Sequence, residues 1–240
     1  SSLRSHFSSI IVCSTLCLPA HIALAQSPAK RASHVVTSMS LEEQLDIVYS
    51  RDGGGFGSAS IPEGALGSAA FLKFPVRLGF PNLEYSDAGL GVGDPRYVRP
   101  RGLAVSLPAG LATASTWDLD MAQKAGTMIG SEAWHTGFNV LLAGGADLTR
   151  DPRNGRNFEY AGEDPLLTGR IVGATIAGIQ SQNVISTVKH FAMNDLETSR
   201  MTMSANISPQ DMRESDLLAF EIAIETAHPG ISDVFLQSRE

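Results

Sequence analysis

Two short runs, the apolar Phe138 to Ala143 and the β-branched Asn183 to Val188, each pass through a polar segment into a stretch with helical apolar spacing. The first leads through Asp151 to Pro165 into Leu166 to Ile179, where Val172, Ile176 and Ile179 share a face. The second ends at Lys189-His190 and leads to a segment that places Leu217, Phe220 and Ile224 together. Strands alternating with helices in this way predict a parallel sheet covered by helices, because a parallel connection needs a crossover of helix length. An α/β fold follows, and both a doubly wound sheet and a (β/α)8 barrel satisfy the order. In either, polar residues gather at the C-terminal ends of the strands.

Local signals mark where elements begin. Ser40 with Glu43 predicts a capping box on a helix from Leu41 to about Tyr49, with Leu41, Leu45 and Val48 on one buried face. Ser115 or Thr116 is expected to cap a helix from about Trp117 to Trp134. Asp164 followed by Pro165 opens the helix after the polar loop, and Ser208 followed by Pro209 opens the last one. Asn82 to Tyr85 predicts a short strand that delivers Asp87 at its end. The glycines of Gly53 to Gly57 have no apolar strand feeding them and no Lys-Ser or Lys-Thr pair after them, so a surface loop is expected there. Gly89-Leu90-Gly91-Val92-Gly93 lacks the spacing of a dinucleotide fingerprint. No cofactor and no metal is expected.

Arg4 and His6 precede an apolar stretch, Phe7 to Leu18, that is too short to span a bilayer, and Ala23-Leu24-Ala25 offers a small-x-small cleavage site. Residues 1–25 therefore predict a secretory signal peptide, a processed chain starting near Gln26, and a periplasmic or secreted location with no membrane partner after cleavage. Both cysteines, Cys13 and Cys17, fall in that segment, so the processed chain would hold neither disulfide nor thiolate. A net charge of -7 with 18 scattered Lys and Arg argues against a nucleic-acid partner, which would need a basic stripe. At 240 residues and 43% hydrophobic content, the chain can bury a large core.

The expected strand ends carry Asp87, the loop with Arg156, then Lys189 and His190, with Arg200 shortly after. A carboxylate accepts from hydroxyls, and lysine and arginine donate in fixed directions, so these types together suit a hydroxyl-rich ligand. Each has a plainer reading as well. Asp87 serves equally as a turn cap, Arg156 can pair with Glu159 three positions on, and Lys189 can be an exposed strand end. His190 can be a structural histidine and Arg200 a surface residue.

Three motifs in this order carry a family resemblance: Ser86-Asp87-Ala88-Gly89-Leu90-Gly91-Val92, Gly155-Arg156-Asn157-Phe158-Glu159 with Glu163-Asp164-Pro165, and Lys189-His190-Phe191-Ala192 with Glu197 and Arg200. From about Ser40 to Gly230 the chain resembles glycoside hydrolase family 3. The resemblance implies a β-glucosidase-like enzyme with an N-terminal (β/α)8-type barrel, acting on terminal β-D-glucosyl or xylosyl residues of a glycoside or oligosaccharide. It implies that Asp87, Arg156, Lys189, His190 and Arg200 bind the sugar of the innermost subsite, while Asp151, Glu159, Glu163 and Asp164 serve as loop scaffolding and caps. Lys189-His190-Phe191 continues as Ala192-Met193-Asn194-Asp195, unlike the N-acetylhexosaminidase branch. Gly93 stands where the family often has arginine, with Arg96 nearby, and Leu196 stands where glutamine is common.

The resemblance also sets expectations for the end of the chain. In the family the aspartate nucleophile and the acid/base glutamate come later, so both are expected beyond residue 240 and no catalytic residue is expected within it. Ser232-Asp233 imitates the nucleophile motif too early in the order. Residues 26–240 are then an incomplete barrel domain, expected to be inactive alone and marginally folded. The alternative is an inactive sugar-binding or vestigial protein.

Overall fold

A computed structural model describes residues 27–49, 51–53, 60–67, 69–93 and 104–234. Its elements are α1 (Pro28–Thr37), α2 (Leu41–Val48), β1 (Arg51–Asp52), β2 (Ala70–Leu72), β3 (Leu83–Asp87), α3 (Gly110–Ala114) and α4 (Leu119–Thr136). There follow β4 (Val140–Leu142), α5 (Pro165–Gln180), β5 (Ile185–Phe191), α6 (Pro209–Glu214), α7 (Asp216–Ala227) and β6 (Ile231–Val234). Residues 1–25, Gly54 to Gly57, Arg96 and residues 235–240 lie outside the described set.

The helix starts follow local chemistry. Ser40 and Glu43 form the full capping box, each side chain bonded to the other's backbone N–H. Asp164 accepts from the Leu167 N–H at 2.7 Å and Pro165 occupies the first turn of α5. Pro fits there because its missing donor would be unpaired anyway. Ser208 caps α6 in the same way, accepting from Asp211 N.

The sheet runs β1-β2-β3-β4-β5-β6, and β3, β4, β5 and β6 pair in parallel. Among the described residues β6 makes no ladder with β1, so the sheet is an open arc. Helices α4 and α5 cover one stretch of it, burying Ile129, Ala133, Phe138, Leu141, Ile179 and Val184. The next stretch buries Val172, Ile176, Val188, Phe220 and Ala223 between α5, β5 and α7. Small residues let α4 and α5 approach closely. A Cβ on Gly126 would stand 2.1 Å from the Thr175 carbonyl oxygen, closer than any van der Waals contact.

Several expectations are corrected. The sheet is mixed rather than purely parallel: β1-β2 and β2-β3 are antiparallel. Only residues 73–82 separate β2 from β3, too few for a helical crossover, so the chain returns in the opposite direction. The face of α2 with Leu41, Leu45 and Val48 is not buried. Leu41 is 72% and Val48 76% exposed, because no described element packs over that stripe. Asp118 caps α4 rather than Ser115 or Thr116, accepting from Met121 N at 3.1 Å. The final helical segment breaks at Ser215, whose φ of -124° and ψ of -88° leave the helical region. Phe220 is buried on α7 as expected, whereas Ile224 stays 39% exposed.

Candidate functional site

The polar site forms at the C-terminal ends of β3 and β5 and on the loop after β4. Gly144 lets β4 pass close to β5. Its φ is +101° and a Cβ would meet the Thr187 carbonyl oxygen at 2.5 Å, so a side chain is excluded twice over. Beyond β4 the chain keeps its parallel register, with Lys189 N donating to Gly144 O and Ala146 N donating to Lys189 O. The backbone of Lys189 is thus bonded on both sides to the β4 exit, and Lys189 and His190 are both buried.

Charged side chains from the three segments then join into one network. Lys189 Nζ lies 3.6 Å from Asp87 Oδ1 and 3.6 Å from Glu159 Oε2. Glu159 Oε1 pairs with Arg156 Nη2 at 2.6 Å, and Arg156 Nη1 reaches Glu197 Oε1 at 2.8 Å. Glu197 also pairs with Arg200 at 3.2 Å. Arg156 Nη2 lies 2.8 Å from His190 Nε2. The five residues singled out in the sequence, Asp87, Arg156, Lys189, His190 and Arg200, are thus brought together. Lys189 and His190 sit deep, while the side chains of Asp87 and Arg200 are 43% and 42% exposed at the rim.

The electrostatics follow from this pairing. Burial opposes the charge on Arg156, but Tyr160, Glu159 and Glu197 together outweigh it and keep the guanidinium more firmly protonated than usual. Burial also disfavours the Glu197 carboxylate, yet hydrogen bonding and charge from Arg156 and Arg200 hold it below the usual range. Asp195 is pushed up, first by burial and then by Asp147 and Asp216 nearby. Asp151 is held at about 2 by its hydrogen bonds from Arg153, which confines it to shaping the loop. Glu159 and Glu197 each face two cations, so they act as structural anions and acceptors. The arrangement can donate to and accept from hydroxyls at its rim.

Beneath these groups lies a second layer that the sequence reading did not single out. Asp147 is fully buried and accepts from the backbone N–H groups of His190, Met193 and Asn194 at 3.0, 2.7 and 3.2 Å. Tyr160 is also fully buried, with its hydroxyl 2.9 Å from His190 Nδ1 and 2.8 Å from Asn194 O. Burial, followed by the carboxylates of Asp147 and Glu159, pushes the Tyr160 phenol well above its usual range, so it is a neutral donor. The available signal for Asp147 was an acidic residue directly after Gly144-Gly145-Ala146 at a strand exit.

Gly93 donates its N–H to Asp87 O at 2.7 Å, and a Cβ there would stand 2.9 Å from that same oxygen. The departure from arginine at this position is therefore built into the turn after β3. Among the described residues no cluster of His, Cys, Asp and Glu is arranged to hold a metal ion, and no helix is long and apolar enough to cross a membrane. A separate cavity at the opposite ends of β3, β4 and β5, lined by Pro81, Leu83, Trp134, Phe138, Asn139 and Ile185, carries no titratable group.

Residues 94–232 match the model of the glycosyl hydrolase family 3 N-terminal domain. A probable β-glucosidase K of Emericella nidulans is 41% identical over 157 residues, covering 64% of this chain and 18% of that protein. A β-glucosidase of Rhizobium radiobacter is 37% identical over 151 residues, covering 63% of this chain and 18% of that protein. The chain thus spans about a fifth of the length of the curated relatives it matches. Among solved structures, β-glucosidase 3B of Thermotoga neapolitana in complex with α-D-glucose superposes with a TM-score of 0.76 at 30% identity, covering 85% of this chain and 30% of that one. DesR, a β-glucosidase of Streptomyces venezuelae in complex with D-glucose, gives 0.71 at 30% identity, with 85% and 25% covered.

Proposed function

This chain belongs to glycosyl hydrolase family 3, its arc of strands being part of that family's (β/α)8-type barrel, and from that membership we propose that it holds the sugar in hydrolysis of terminal β-D-glucosyl or xylosyl residues. The observation that carries this reading is the single network linking Asp87, Lys189, Glu159, Arg156, His190, Glu197 and Arg200. Asp87 and Glu197 are acceptors, Lys189, Arg156 and Arg200 are donors, and they gather from the ends of β3 and β5 and the segments that follow β4 and β5, the side of the sheet where barrel enzymes bind substrate. The relatives named β-glucosidase and the neighbours solved with glucose favour a glucoside as the ligand.

The chemistry of a retaining glycosidase needs two carboxyl groups flanking the scissile bond, one to attack the anomeric carbon and one to protonate the leaving oxygen. In this site Glu159 and Glu197 are neutralised by paired cations, and Asp147 is occupied by three backbone donors. None is free to attack. Our reading is that this stretch supplies binding and orientation, while nucleophile and general acid come from other parts of the enzyme. Residues 1–25 support placing that enzyme outside the cytoplasm.

The same observation favours a second reading, in which the chain binds a sugar without hydrolysing it. Two measurements on the purified chain separate the possibilities: calorimetric titration with glucose, and release of nitrophenol from an aryl β-glucoside. Glucose binding with negligible turnover is expected. Turnover at ordinary enzyme rates would show that a nucleophile is present after all, and a folded chain with no affinity for glucose or xylose would sink the sugar-binding reading.

A further inference from the structure

The surroundings of His190 decide which of its ring nitrogens carries the proton. Nε2 lies 2.8 Å from Arg156 Nη2, and a guanidinium nitrogen can only donate. Nε2 must therefore present its lone pair, and in a neutral imidazole the proton then sits on Nδ1.

The groups around Nδ1 agree. Tyr160 Oη is 2.9 Å away and Asp147 Oδ2 is 3.6 Å away, both able to accept. The Tyr160 hydroxyl donates its one proton to the Asn194 carbonyl at 2.8 Å, which leaves its oxygen lone pairs for Nδ1–H. Asp147 works on the backbone of the same turn. One of its oxygens accepts from His190 N and the other from Met193 N and Asn194 N, which also places the carbonyl that Tyr160 uses. Ring and backbone of His190 are thus held from the side away from Arg156.

We propose that Asp147 and Tyr160 are positioning residues that hold His190 as the neutral Nδ1–H tautomer, so that Nε2 is an acceptor that selects a sugar hydroxyl. The hydroxyl partner rests on the sugar-binding reading above; the tautomer does not. An entering hydroxyl takes the place of Arg156 as donor to Nε2, leaving the guanidinium to Glu159 and Glu197. A sugar with fluorine in place of that hydroxyl has no proton to donate, so it cannot replace Arg156 at Nε2 and forfeits that contact.

The test is a heteronuclear correlation spectrum of the full chain carrying isotope-labelled histidine, with His190 assigned by its loss in His190→Gln. Wild type is expected to show a protonated Nδ1 and a bare Nε2. Tyr160→Phe and Asp147→Asn each remove an interaction that favours Nδ1–H and are expected to raise the Nε2–H fraction about fivefold. A wild-type His190 protonated at Nε2 overturns the proposal whether or not either variant folds. An unchanged tautomer ratio in folded Tyr160→Phe overturns the positioning role. Methyl β-D-glucoside is then added to wild type, and the Nε2 signal is expected to move. Nδ1–H protonation with no response to the glucoside overturns the hydroxyl contact and the sugar-binding reading, while the tautomer assignment stands.

Discussion

Arg156 and Glu197, separated by 41 positions in the chain, meet at 2.8 Å and tie the loop after β4 to the segment after β5. Glu197 extends the link to Arg200 at 3.2 Å, so one carboxylate orients both arginines of the site.

Glu197→Gln is therefore expected to weaken glucose binding by about three- to tenfold, because it removes the charge that aligns both guanidinium groups. Stability should change by less than about 1 kcal/mol, since the Glu197 side chain is 38% exposed and its pairs are screened by water. Calorimetric titration together with urea unfolding checks both halves. A large loss of stability with unaltered affinity would assign Glu197 to folding instead.

Glu84 sets a pH dependence of the opposite sign to an ordinary ion-paired acid. Burial raises its carboxyl above the usual value, and the hydrogen bond from Leu66 N offsets this only in part. The folded state then binds the proton more readily than the unfolded one, so the contribution of Glu84 to stability rises as pH falls through its raised folded value. Relative to wild type, Glu84→Gln should be most stable at a pH of about 7 and lose that advantage by about pH 4. Paired denaturation curves across that range measure it, and a difference that grows on acidification contradicts the assignment.

Gly126→Ala should destabilise the chain by about 1–3 kcal/mol, because the added methyl collides with the Thr175 carbonyl where α4 and α5 touch. Backbone and not a flexible side chain is in the way, so the helices must part. Gain of stability from the better helix former would show that α4 and α5 do not pack this closely.

Asp216→Ala is expected to cost about 1–3 kcal/mol in urea unfolding, the Arg150 end being half exposed. Asp216 is buried at the start of α7, paired with Arg150 and bonded from Ser215 Oγ at 2.8 Å. Sugar affinity should stay unchanged because this pair touches none of the network from Asp87 to Arg200. A parallel loss of affinity at full stability would tie α7 to the site.

The parts of the fold that could be read from sequence are those decided within a few residues. Ser40 with Glu43, Asp164 with Pro165 and Ser208 with Pro209 start helices because a cap bonds to the backbone three positions on. The stripe Leu41, Leu45, Val48 shows the limit: periodicity specifies a face but not whether anything covers it. The antiparallel β1-β2-β3 segment was missed because strands of two and three residues carry almost no periodic signal.

The site divides in the same way. By itself the sequence determined that Asp87, Arg156, Lys189, His190 and Arg200 belong to one family pattern, since residue types and order along the chain are enough for that. Only the tertiary structure decided what each of them faces. Asp147 reaches His190 across 43 positions and Tyr160 reaches it across 30. The ion pairs of Arg156 with Glu197 and of Lys189 with Glu159 likewise exist only once β5 lies beside β4. Protonation and orientation depend on distances of a few ångströms between segments remote in the chain, and local order contains no such distances.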